Sequence, residues 1–165
     1  MDSLSQQLQS LSVDAKSNWS VLSTTVPAMA EAMVKTGKDD AAGSVAALNA
    51  YAQLASDNTA IAEPFLCASF GSVLAAAGSK AGDVRKAAEA AANALLKDMN
   101  SNCTRELLPI LFDAAKVENP WQQRALALKC IASLGDLCPD QLGNALPEVV
   151  PEVTAHITDV KKDVS

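Results

Sequence analysis

The sequence predicts an all-α fold, an α-solenoid of antiparallel helix pairs stacked side by side. Three observations predict it. The chain is 49% apolar but only 4% aromatic, so its core is built mainly from Ala, Leu, Val and Ile. Alanine is the strongest helix former and lets helix axes come close. The 7 glycines and 7 prolines fall mostly at segment boundaries, which argues for helices joined by short turns and against a sandwich or barrel. Finally, Pro64, Pro109 and Pro151 recur at intervals of 45 and 42 residues, each within an apolar segment of helical spacing.

In chain order, Leu4 to Leu11 reads as a short amphipathic helix capping the N-terminal end of the stack. Val26 to Lys35 and Ala41 to Ala55 form a pair around Gly37-Lys38-Asp39-Asp40, with Pro27 near the start of the first helix. The helix around Pro64 continues through Phe65, Leu66, Phe70 and Leu74 to a stop at Gly78. Gly82-Asp83 then opens an alanine-rich helix from Val84 to Met99. Thr104 to Lys116 carries Leu107, Leu108, Ile110 and Leu111 on its apolar side, and Pro109 inside it removes a backbone bond and bends the axis.

Asn119-Pro120-Trp121-Gln122 reads as a helix start, with Asn119 as N-cap, Pro120 at the first helical position and Gln122 completing a capping box. The helix runs through Arg124, Leu128 and Ile131 to Gly135. Trp121, Ala125, Leu128 and Ala132 make one apolar stripe, and Leu126, Cys130 and Leu134 a second. Gln122, Gln123, Lys129 and Ser133 leave a narrow polar strip, so this helix is packed on more than one side. Leu146 to Val153 opens another bent helix around Pro151, and Thr158 to Val164 reads as the start of its partner.

Two helices per unit at a period of roughly 40 to 47 residues is the signature of HEAT or armadillo arrays. The chain therefore reads as a single HEAT array over 1–165. Capping helices occupy 1–23, and helix pairs occupy 24–56, 58–99, 102–136 and 139–165. The last pair is expected to be truncated with an apolar face left open, so the chain is expected to be a fragment of a longer array. Pro64, Pro109, Trp121, Leu128 and Pro151 are the expected structural core. Trp121 could serve as a platform for stacked bases, but its place at the start of a nearly all-apolar helix favours packing, with a cost of about 3–5 kcal/mol on truncation to Ala.

The formal charge of −6 and pI of about 4.7 oppose a chain that is cationic overall, and so any DNA-binding role, while leaving room for a local basic edge. No run of 18 or more apolar residues exists, and MDSLSQQLQSLSVD lacks the basic and apolar regions of a secretory signal. The expected location is cytoplasmic, without a membrane partner, and the fragment is expected to be monomeric. Cys67, Cys103, Cys130 and Cys138, spaced by 36, 27 and 8 residues, form no C-x-x-C pair, and His156 is the only histidine. No metal or cofactor site is expected. The cysteines read as small buried residues, and His156, between Ala155 and Ile157 on a helix, as a surface or interface residue. Asn18-Trp19-Ser20 and Asn102-Cys103-Thr104 match the glycosylation pattern by chance. No G-x-x-x-x-G-K-[ST] occurs and no constellation supports catalysis.

Three tracts carry a resemblance. Arg105-Glu106-Leu107-Leu108-Pro109-Ile110-Leu111 through Asn119-Pro120-Trp121-Gln122-Gln123 is similar to an "ALLPHL…NKWQEK" region. Leu146-Pro147-Glu148-Val149-Val150-Pro151-Glu152-Val153 is similar to a "MPELIP" helix, and Asp159-Val160-Lys161-Lys162-Asp163-Val164 to "DTKKEV". Together, over Met1 to Ser165, the chain resembles the N-terminal HEAT domain of fungal-type translation elongation factor three. The resemblance implies a cytosolic ABC-type ATPase whose two cassettes, with ATP and Mg, lie downstream. Such a factor helps release deacylated tRNA from the ribosomal exit site. It implies that this segment docks on ribosomal proteins and rRNA, and that other elongation factors are partners of the full-length protein. Two alternatives stand beside it: the HEAT segment of a ribosome-associated regulator of the amino-acid-starvation kinase, and a generic protein–protein HEAT scaffold.

Stacked units place equivalent turns along one edge of a solenoid. Lys80, Arg85 and Lys86 flank one such turn, Lys161 and Lys162 a later one, and Arg124 and Lys129 lie along the intervening helix. These seven are the candidate ribosome or rRNA contacts. The plain alternative is that they are solvated helix ends or pair with acids of neighbouring repeats, at about 0–1 kcal/mol per exposed pair.

Overall fold

A computed structural model describes residues 19–35, 41–159, 161 and 163–164. The expected capping helix at Leu4 to Leu11 and the Gly37–Asp40 turn lie outside them. Among the described residues the chain is all-α, with no strand. Helix α1 spans Trp19–Met33 and buries Leu22, Val26, Met29 and Met33, a stripe at helical spacing. It is longer than the sequence suggests, and Pro27 stands exposed at mid-helix rather than near its start.

Helix α2, Ala41–Ala77, runs unbroken through the position where two separate units were expected to meet near residue 57. No Gly or Pro stands between Gly43 and Pro64 to end it, and Gln53 Nε2 donates to Asp57 Oδ2 at 3.0 Å across one exposed turn. Its axis is nevertheless not straight. The Tyr51 hydroxyl donates to the Leu66 carbonyl oxygen at 2.8 Å. Fifteen residues of straight helix span about 22 Å, far beyond the reach of a phenol. The axis therefore turns sharply between Tyr51 and Leu66, and the two arms of α2 pack on one another as members of successive pairs.

Helix α3, Gly82–Asp98, starts at the predicted Gly82-Asp83. It buries Val84, Ala87, Ala88, Ala91, Ala92, Leu95 and Leu96 against α2. Alanine on this stripe lets the two helices lie close. A 3₁₀ turn, Ser101–Cys103, leads into α4, Thr104–Ala115, which buries Leu107, Leu108, Leu111, Ala114 and Ala115. Helix α5, Trp121–Leu137, buries Ala125, Leu126, Ala127, Cys130, Ile131 and Leu134, so the second expected stripe faces the core while Ala132 is exposed.

Several expectations are corrected. Asn119 does not cap α5, whose start has no side-chain cap. Its Nδ2 donates backward to the carbonyls of Asp113 at 2.8 Å and Ala114 at 3.2 Å, satisfying orphan acceptors at the end of α4. Pro64, Pro109 and Pro151 are exposed, not core. A proline deprives the carbonyl four residues earlier of its donor, and on the outer face of a helix water replaces it. Trp121 and Leu128 are half-buried.

A short helix not expected from the sequence, α6, Pro139–Asn144, precedes α7, Leu146–Thr154. No helix follows Thr154 among the described residues, so the partner helix expected from Thr158 is replaced by turns. The Asp159 carboxylate explains this. It accepts from the Lys161 backbone N–H at 2.9 Å and pairs with Arg124, holding the chain in a turn. His156 lies in this segment and is buried, not on a helix surface.

Candidate interaction surface at the turn edge

Equivalent turns do line up. The turn between α2 and α3 is held by Arg85, whose Nη1 donates to the carbonyls of Ser79 and Lys80, each at 2.9 Å, and by the Ser79 hydroxyl, which accepts from the Ala81 N–H at 3.2 Å. Gly78 sits against Pro120 of the α4–α5 turn so closely that a Cβ there would come within 2.9 Å of Pro120 Cγ. The end of α1 joins the same edge: Met33, Val34 and Lys35 share a groove of about 670 Å³ with Ser79, Lys80 and Pro120. Further along, Arg124 in the first turn of α5 reaches the segment after α7.

The seven candidate cations separate into different roles. Lys80 and Lys86 are exposed, and neither makes an ion pair among the described residues. Arg85 is half-buried and committed to the turn it braces. Arg124 is buried and forms a 2.7 Å ion pair with Asp159, both side chains at most 10% exposed, so it is not available to an outside partner. Lys129 pairs across helices with Glu89 at 3.2 Å, both exposed, the inter-repeat pairing weighed as the plain alternative. Lys161 is exposed, and Lys162 lies outside the described residues. The structure adds Lys35, exposed at the end of α1 and facing the same groove as Lys80. Its position just before a turn is the signal that could have found it.

Three of the four cysteine thiols are held in their neutral form. Burial, more than neighbouring charge, pushes the Cys130 thiol up to about 12, with Glu89 adding to it. Burial and the Glu63 carboxylate raise Cys103 to about 11. Burial raises Cys67 further, with Cys103 beside it. A thiol so far from its thiolate at neutral pH is a packing group, not a nucleophile. Among the described residues no group of three or more His, Cys, Asp or Glu could hold a metal, and no helix is long and apolar enough to cross a membrane.

An array of helix pairs with its turns stacked on one edge is matched by a family profile described as EF3 N-terminal HEAT repeat, which covers residues 3–165. The chain belongs to this family. Similar members of the elongation factor 3 group include one from Phytophthora infestans, 39% identical over 53% of this chain and 8% of its own length. Elongation factor 3B of Saccharomyces cerevisiae is 33% identical over 62% of this chain and 10% of its own. Elongation factor 3 of Candida albicans is 32% identical over 76% and 12%. The chain thus spans about a tenth of the length of these curated relatives. It is a HEAT-repeat segment of the elongation factor 3 kind, and the resemblance read from its Trp-Gln and double-lysine tracts names the right family.

Proposed function

We propose that this segment is a ribosome-docking scaffold, in cytoplasmic factors that act in translation elongation. It binds rather than catalyses. In the full-length factor, ABC-type cassettes with ATP and Mg, elsewhere in the chain, drive release of exit-site tRNA, and other elongation factors meet the whole protein rather than this segment. The observation that carries the reading is the family match over 3–165 on a chain whose turn edge presents Lys80 and Lys86 free of acidic partners among the described residues. A net charge of −6 confines attraction for rRNA phosphate to such local features. Lys161 extends the edge; Arg124 and Lys129 are excluded by their own ion pairs.

Co-sedimentation tests this. The chain should pellet with purified ribosomes at low salt, and pelleting should fade as salt rises, because each phosphate contact releases counterions. Failure to pellet at any ionic strength would refute docking by this segment and favour a scaffold for other proteins.

A further inference from the structure

The groove beside Lys80 differs from a phosphate-binding surface. Its described walls come from the end of α1, the start of α2, the α2–α3 turn and Pro120, and are mostly apolar, with Met33, Val34, Val84 and Pro120 among them. Val34, just past the end of α1, is 42% exposed at its rim. The only charged residues among the described lining are Lys35 and Lys80, in a chain that is otherwise acidic. No described lining residue is aromatic, so the groove offers no platform on which a base could stack. Its volume of about 670 Å³ is that of a site taking a few side chains.

We propose that this groove binds an acidic polypeptide segment, which inserts apolar side chains between the stacked turns and sets its carboxylates against Lys35 and Lys80. Charge complementarity selects the acidic partner, and the apolar walls select a polypeptide over a nucleic acid. Gly78 is what allows the floor to close: with no Cβ it admits Pro120, and the two turns meet beneath the groove. The inference shares Lys80 with the proposed docking edge; Lys35, which is not among the docking contacts, and Lys86, which does not line the groove, tell the two apart.

The test uses a short fluorescent peptide with a central Leu-Phe pair flanked by Asp and Glu, titrated with this chain and followed by anisotropy in the absence of ribosomes. Saturable binding is expected. K35E/K80E, both exposed positions, should weaken it by about tenfold or more, and replacing Leu-Phe by Ser-Ser should weaken it comparably. Amide shifts on titration should centre on Val34, Ser79 to Val84 and their neighbours. The proposal is overturned if K35E/K80E binds the peptide as well as the parent chain does. It is overturned equally if the Ser-Ser peptide binds unchanged, or if an oligouridylate displaces the peptide and shifts the same amides at lower concentration.

Discussion

The Tyr51 hydroxyl donates to the backbone carbonyl of Leu66 at 2.8 Å, across fifteen residues of what is formally one helix. That bond ties the two arms of α2 together at the point where one helix pair hands over to the next. Both residues are fully buried, so the phenol has no water to fall back on. The same carbonyl also accepts from the Ser69 hydroxyl at 3.1 Å, so losing the phenol does not strand it.

Tyr51→Phe should therefore cost about 1 kcal/mol, the net worth of one neutral hydrogen bond with its acceptor still satisfied. A urea or thermal melt measures it. Loss of cooperativity, or a second transition, would mean that the bond holds the two units together rather than adding a small increment.

Arg124 and Asp159 make a pair out of water, at 10% and 7% side-chain exposure. Arg124→Ala leaves the carboxylate unpaired and should destabilise the chain by about 3 kcal/mol or more, while replacing both partners by apolar residues of similar size should cost far less. A double-mutant cycle on denaturation midpoints checks this. Additive losses would show that the pair is not coupled.

Gly78→Ala places a methyl 2.9 Å from Pro120 Cγ. Gly78 has no positive φ, so backbone strain is not the cause, and overpacking should cost roughly 1–3 kcal/mol. Pro120→Ala removes the closest clashing atom, leaving the residue's Cβ at 3.2 Å. The double variant should recover part of the loss in a thermal melt; if it recovers none, the contact is not what Gly78 is there to permit.

Alkaline pH should weaken the fold. Cys67, Cys103, Cys130 and Tyr51 all have folded-state pKa values raised first by burial. A raised pKa contributes stability that is intact below the unfolded value, 9.0 for cysteine. Above it the unfolded chain sheds protons that the folded chain keeps, so stability falls as pH climbs toward about 12 for Cys130. Melting temperature against pH should bend downward above about pH 9, and less steeply in Cys130→Ala. A flat profile to pH 11 would contradict the burial of these groups.

What the sequence made legible was governed by local rules. The alanine stripe of α3, its start at Gly82-Asp83, and α4 with Pro109 inside it all follow from spacing, capping and composition, and the structure keeps them. Asn119 shows where such rules become ambiguous. An asparagine between two helices can cap either one, and only the path of the turn decides that it reaches back to Asp113. The prolines were misplaced because a bend locates a proline along a helix without saying which face it occupies. In the candidate surface, Lys80 and Lys86 were legible as helix-end charges. Arg124 was not, because its partner stands 35 residues away; the hint was its position beside the apolar Ala125 and Leu126. Helix α6 has only six residues, too few for a periodic pattern.

If the turn edge meets the ribosome through Lys80 and Lys86, the salt dependence of binding reports it. Plotted as log affinity against log salt, the slope for K80A/K86A should be shallower than that of the parent chain by roughly two, about one per lost phosphate contact. Lys129→Ala, at a lysine already paired with Glu89, should leave it unchanged. An identical slope in K80A/K86A would exclude phosphate contact by these lysines.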